Sequence, residues 1–463
     1  EGAAKRAAFG DVAKLASRLG EIDRAVAAWE SCLTFDQEDL EALTGLVDVL
    51  QADRRMKPLV DVLEKRAAAW GEPTSARIDR VQIAHIWAQD LASPEQAAAA
   101  WARVEEEFGE SDEGLSASIA LASSLERYAD LARLLVRAIA RAETADDRAT
   151  LQAQRGDVVR VRLGDGAQAA DEYKAALESH PMHPAALLGL RALLGNVETE
   201  ASATDILLAA NKQAEDWPAI LELTPHRLRT AKSNADRVHV LLEVAKIAED
   251  RTQEPSRAFE ALREALALSY NDAVIEADAV RLAELTGAWR PLADTLRDLE
   301  GPLQEHDDAP SLVRLRLRLG AVLEGQLDDP RAALAVYQRV LAVHPTDVAA
   351  GTSAVRVSVR VRSWDAAAKC VLDRAVAIGE LDEVLIGPLE HHLQGQAWES
   401  ISSAMESAVA ERTDAPQFVS RDLEARVAGW HRDRRADAHA AEAAYVRALA
   451  HDTQNVDLLG ALA

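Results

Sequence analysis

Leucines, isoleucines and valines recur along this chain at helical spacing. Residues 40–52 place Leu43, Leu46, Val47 and Leu50 on one side, the i, i+3, i+4, i+7 pattern of an amphipathic helix. Residues 56–69 repeat it with Leu59, Val62 and Leu63, and residues 76–91 carry Ile78, Val81, Ile83, Ile86 and Leu91 on a broader apolar face. Asp, Gly and Pro fill the short breaks, as in "GEP" at 71–73 and "GDG" at 164–166, which are helix-ending signals. Helices this short are marginal alone, so stacking on neighbours is expected to supply their stability.

The pattern is periodic on a longer scale. "AADEYKAALESHP", residues 169–181, has a later counterpart in "AALAVYQRVLAVHP", and both carry a small residue, an aromatic, a small residue and a proline in that order. Anchored on the aromatic, the motif recurs at Trp29, Trp101, Tyr173, Tyr337 and Tyr445, with Leu262 in the same place in "SRAFEALREAL". A second landmark, a bulky residue opening a helix, is Met56, Tyr128, Trp217, Trp289, Trp364 and Trp398. The step from first to second landmark is 27 residues at 29–56, 101–128, 262–289 and 337–364, but 44 at 173–217. These spacings define an internal repeat of about 72 residues, four helices each, with an insertion near 195–212.

Composition supports an all-helical reading. Hydrophobic residues make up 48% of the 463 but aromatics only 4%, a mixture suited to close helix packing through small side chains and poorly suited to sheets. A formal net charge of −25 argues against a nucleic-acid binder, since phosphate contacts need a basic surface. No run of 18 apolar residues exists, so no membrane insertion is expected. Cys32 and Cys370 lie far apart in helical patterns and read as buried free thiols, which fits a reducing cytoplasm first and is also compatible with a bacterial periplasm.

In these motifs the sequence resembles the tetratricopeptide repeat family, in the style of long bacterial arrays. "AADEYKAALESHP" and "AALAVYQRVLAVHP" fit the second half of that motif of about 34 residues, and "SWDAAAKCVLDRA", with Trp364 and Ala367, fits its turn. The resemblance implies a right-handed superhelical α-solenoid of stacked antiparallel helix hairpins, continuous over residues 1–463. "AKRAAFGDVAKLASRLGEIDRAVAAW" aligns with "ARIDRVQIAHIWAQDLASPEQAAAAW", and the chain closes on "VDLLGALA". Both ends therefore fall inside repeats, and the chain is expected to be part of a longer protein.

Candidate chemistry is sparse. No Gly-rich phosphate loop, nucleophile elbow or paired-His zinc motif is present, so no cofactor and no catalysis are expected. His180 and His183 sit in a Pro-bounded turn without a nearby third ligand, and His391 and His392 are adjacent, so they point to different parts of a helix surface. "EEEFGESDE" (105–113) reads as a solvated helix end, and the tryptophan rhythm reads as core. "RVSVRVR" (356–362) alternates like a strand, but the repeat register makes it helical, with Arg356 and Arg360 on one side.

The resemblance also implies that the first helix of each hairpin lines a concave groove that holds a partner protein or peptide. Transferred to this chain, the inward residues are Thr44 and Asp48, Ser116, Leu188, Arg281, Thr352 and Arg356, with Arg360 beside them. The expected function is a non-catalytic protein-interaction scaffold, able to assemble into a larger complex. The alternative is a regulatory segment of a larger signalling protein such as a kinase or transcription regulator.

Overall fold

A computed structural model describes residues 2–393 and 397–462, and among these there is no strand. Glu1 and Ala463, the first and last residues of the repeats read as cut, lie outside the described residues. Two compact units form, one ending at Thr230 and the other beginning at Ala231.

The first unit runs α1 (Gly2–Leu19), α2 (Ile22–Leu33), α3 (Leu40–Ala52), α4 (Met56–Ala69), α5 (Pro73–His85), α6 (Pro94–Phe108) and α7 (Asp112–Ser124). It continues with α8 (Tyr128–Arg141), α9 (Ala145–Val158), α10 (Gly166–Ser179), α11 (Pro184–Leu193), α12 (Glu200–Gln213), α13 (Trp217–Glu222) and α14 (Thr224–Thr230). Each helix packs on its sequence neighbour. The odd-numbered helices α1 to α11 are the first helices of their hairpins and the even-numbered ones the second. The excess over two 34-residue motifs appears as a π turn closing the long first helices, Ile86–Asp90 after α5 and Val159–Leu163 after α9. The insertion is a helix, α12, which packs on α10 and α11 before the kinked pair α13 and α14.

The second unit runs α15 (Asn234–Asp250), α16 (Pro255–Leu268), α17 (Ala273–Thr286), α18 (Trp289–Asp298), α19 (Glu300–Glu305), α20 (Ala309–Gly325) and α21 (Pro330–Leu341). It closes with α22 (Val348–Arg360), α23 (Trp364–Ile378), α24 (Glu383–His392), α25 (Ala397–Glu411), α26 (Gln417–Asp433), α27 (Ala438–His451) and α28 (Val456–Leu462). "RVSVRVR" falls on α22, so it is helical as its register requires.

The aromatic landmark is the lock of each hairpin. Trp29, Trp101, Tyr173, Tyr337 and Tyr445 are all buried. Tyr173 lies between Gly156 on α9 and Gly189 on α11, where an added Cβ would stand 2.6 and 2.2 Å from its ring. Those glycines are therefore the space the ring occupies. The second landmarks Met56, Tyr128, Trp217, Trp289 and Trp364 are only partly buried at helix starts, whereas Trp398 is buried.

The repeat extends to the backbone. Nine residues before each aromatic place, Gly20, Ala92, Gly164, Gln253, Asp328 and Ala436 all have positive φ. Two residues before the second landmark, Arg54, Glu126, Glu215, Gly287 and Arg362 do too. These left-handed residues close the preceding helix and turn the chain back.

Helix N-caps follow the same register, with one exception. Ten residues after the aromatic place, Asp39, Ser111, Asp272 and Asp347 accept from the first backbone amides of α3, α7, α17 and α22. At α11 the place is held by His183, which makes no capping bond. Its Nδ1 is buried without a partner, and its Nε2 lies 3.3 Å from Thr150 Oγ1. His183→Asp is expected to stabilise the start of α11 by about 1 kcal/mol. Hydrogen exchange of α11 amides should then slow roughly fivefold; unchanged or faster exchange would refute the capping account.

One reading of the sequence is corrected here. Ile78, assigned to the apolar face of residues 76–91, is 62% exposed, while Asp79 and Arg80 beside it are 1% and 6% exposed. The buried stripe of α5 is Ala76, Asp79, Arg80, Ile83 and Ala84. Asp79 accepts from Arg66 Nε at 2.9 Å, Arg66 Nη2 at 2.6 Å and Trp70 Nε1 at 2.9 Å, which joins α5 to α4. Arg80 donates to Glu64 at 2.8 Å and Glu107 at 3.0 Å.

Candidate functional site

A cleft of about 700 Å³ opens between the first helices α1 and α3. Lys14, Ser17 and Arg18 of α1 form one wall, Leu40, Glu41, Thr44, Asp48 and Ala52 of α3 the other, and Ile22 and Trp29 of α2 belong to its lining. The local sequence explains the opening. Gly10 of α1 and Gly45 of α3 face the indole, and Ala13 and Ala16 share its buried cluster. A Cβ at Gly45 would stand 2.3 Å from the Trp29 ring, so only glycine lets α3 approach this closely.

The electrostatics of the walls are unequal. Lys14 and Glu41 form an ion pair that holds the ammonium above and the carboxyl below their ordinary ranges. Arg18 and Asp48 are exposed and have no ion-pair or hydrogen-bond partner among the described residues. Trp29 is 4% exposed, yet its Nε1 has no acceptor. The counterpart tip, Tyr173 OH, donates to Asp157 at 2.7 Å and accepts from Arg160 Nε at 3.1 Å. An unpaired buried donor costs about 1–3 kcal/mol, so the Trp29 site departs from the rule the other hairpin follows.

Of the residues expected to bind a partner, Thr44 and Asp48 come together in this cleft. Ser116 is exposed on α7, and Leu188 is 70% exposed on α11. In the second unit the arginines are already paired. Arg281 clamps Glu249 of α15 with contacts of 2.6 and 2.9 Å, and Arg356 clamps Glu324 of α20 with two of 2.8 Å. Arg360 pairs with Asp328 and donates to the Glu324 carbonyl at 3.3 Å. Thr352 donates to the Val348 carbonyl of its own helix at 2.8 Å. These arginines tie each first helix to the previous one, so the positive charge seen in the sequence is largely neutralised on this face.

Other features resolve similarly. Within 105–113, Glu105 and Glu110 pair with Arg137, Asp112 with Arg141, Glu107 with Arg103 and Glu113 with His85. His180 pairs with Asp146 at 2.8 Å. No group of three or more His, Cys, Asp or Glu suited to a metal occurs among the described residues. Cys32 is buried and Cys370 partly so, both free. Cys370 faces a recess of about 290 Å³ between α21 and α23, and burial pushes its thiol up to about 12, where it is a poor nucleophile. No helix of the described residues is long and apolar enough to cross a membrane.

Among the lining residues that sequence reasoning missed are Lys14, Arg18, Ile22, Glu41 and Gly45. One signal was available: Gly45 follows Trp29 by the 16 residues that separate Gly189 from Tyr173. The pairing state of the charges had none.

Antiparallel helix pairs locked by an aromatic against small residues make this an all-α, tetratricopeptide-like fold. No family model matches the chain, and no curated protein matches it. Among solved structures, it is similar to that of Naa15/Naa10 bound to HypK-THB, with 12% identity over 98% of this chain and 73% of that one at a TM-score of 0.34. It is also similar to YrrB, described as a TPR protein with an unusual peptide-binding site, with 18% identity over 40% and 90% at 0.25. A third is the APC/C hetero-tetramer Cut9–Hcn1, with 11% identity over 97% and 94% at 0.22.

Proposed function

We propose that this chain is a non-catalytic scaffold that holds segments of partner proteins against the first helices of its hairpins. The observation that carries the reading is the α1–α3 cleft, where apolar surface, an orphan indole N–H and two unpaired opposite charges meet on one face. On the first helices of the second unit, Arg281 and Arg356 are instead taken up by contacts with the preceding first helix. Clefts of about 300–1,000 Å³ with a few convergent polar groups are where proteins hold ligands.

Photo-crosslinking in the native source tests this. A benzophenone side chain at Thr44, Ser116 or Leu188, on first helices, should capture a partner protein. The same group at exposed Lys65 or Lys174, on second helices, should not. Capture only from the second-helix positions would refute the face assignment, and capture from neither set would refute the scaffold.

A further inference from the structure

We propose that the α1–α3 cleft binds a short extended segment of a partner protein, one presenting an apolar side chain flanked by one acidic and one basic residue. The inference rests on the scaffold reading and gives its ligand a chemistry. Length comes first. The α3 wall runs from Leu40 to Ala52, roughly 18 Å at about 1.5 Å per residue. An extended chain rises about 3.3 Å per residue, so roughly five residues span it.

Charge complementarity sets the composition. Lys14 and Glu41 satisfy each other and present no net charge. Arg18 and Asp48 remain, one on each wall, exposed and without partners in a cleft whose other lining includes Ile22, Trp29, Leu40 and Val49. A purely acidic segment would meet Arg18 but be repelled by Asp48, and a purely basic one the reverse. A segment carrying both signs around an apolar residue satisfies both walls while burying its apolar side chain on the floor. In an extended segment neighbouring side chains alternate in direction, so such a segment can address floor and rim together.

The orphan donor is the independent sign of a ligand. Trp29 Nε1 is buried beside Gly45 with no acceptor from the protein, and no residue of α1 or α3 fills that role. The N–H has less than 1 Å² of exposed surface, so a backbone carbonyl of the bound segment completes it only by drawing the indole edge out from beside Gly45, and side-chain identity is read by the two charges.

The test selects a displayed library of random short peptides on the intact chain and titrates the winners by calorimetry. Winners are expected to share an apolar residue between an acid and a base. Arg18→Glu should weaken them about tenfold, the loss of one charge-assisted contact, and a lysine in place of the peptide's acid should restore binding. Asp48→Lys should behave likewise with the peptide's base reversed. Arg18 and Asp48 make no internal contact, so reversing them removes nothing from the fold, which circular dichroism verifies. Winners indifferent to both reversals but lost on Leu188→Asp would overturn this cleft and leave the scaffold standing. Failure to select any peptide would overturn both.

Discussion

Truncating Tyr173 to alanine is expected to destabilise its hairpins by about 3–5 kcal/mol, the usual loss for deleting a buried aromatic side chain. The ring fills a slot between α9 and α11 that has no other occupant, because Gly156 and Gly189 present no Cβ to close it. Hydrogen exchange in α9, α10 and α11 should accelerate by roughly two to four orders of magnitude. Tyr173→Phe keeps the ring and loses only the hydroxyl contacts with Asp157 and Arg160, so about 1 kcal/mol is expected. Gly189→Ala is expected to destabilise as well, by about 1–3 kcal/mol, since its Cβ would stand 2.2 Å from the ring. In a Tyr173→Leu background that alanine should cost less, because the two residues share one space. Additive losses would show that the slot is not what locks the hairpins. The pH dependence has a definite sign. Burial raises the Tyr173 hydroxyl from 10.0 to about 12, so the unfolded chain ionises first and stability falls as pH rises through that interval, unless Phe replaces it.

Asp79→Ala is expected to be comparably severe, about 3–5 kcal/mol, through a different mechanism. It leaves the largely buried Arg66 guanidinium and the Trp70 N–H without their acceptor, and an uncompensated buried charge is what makes such deletions costly. Asp79→Asn should fall between, since its carbonyl still accepts one bond. Replacing the pair together, Asp79→Leu with Arg66→Met, should recover most of the loss, because neither charge is then stranded. Hydrogen exchange in α4 and α5 measures all three. If the double replacement is as damaging as the single, the effect lies in packing geometry and not in charge.

Exposed Leu188 illustrates what a register argument can reach. The repeat register places equivalent residues of the first helices 15 and 19 residues after the aromatic place, and Leu188, 15 after Tyr173, is exposed on α11. The same logic assigned Arg281, Arg356 and Arg360 to that face. Each proved to be a bridge to the previous first helix, with partners 32 residues earlier at Glu249, Glu324 and Asp328. A carboxylate that far back in sequence carries no local mark of being a partner.

What the sequence by itself determined is the helical hairpin, its length and its lock. Periodic apolar residues, helix-ending turns and an aromatic facing small residues are properties of neighbours within a few turns, and the physics that reads them is local. The inserted segment is the helix α12, and its Ala203 and Leu207 are buried in the Tyr173 cluster, a contact that depends on where α10 and α11 lie. Tertiary structure also decided which charges are free. Asp79 is buried and Ile78 exposed because a paired carboxylate can occupy a core that an isolated one cannot. Arg18 and Asp48 stand unpaired because no opposite charge from a neighbouring helix reaches them. Pairing depends on where side chains separated by tens of residues come to rest, and that is a property of the fold.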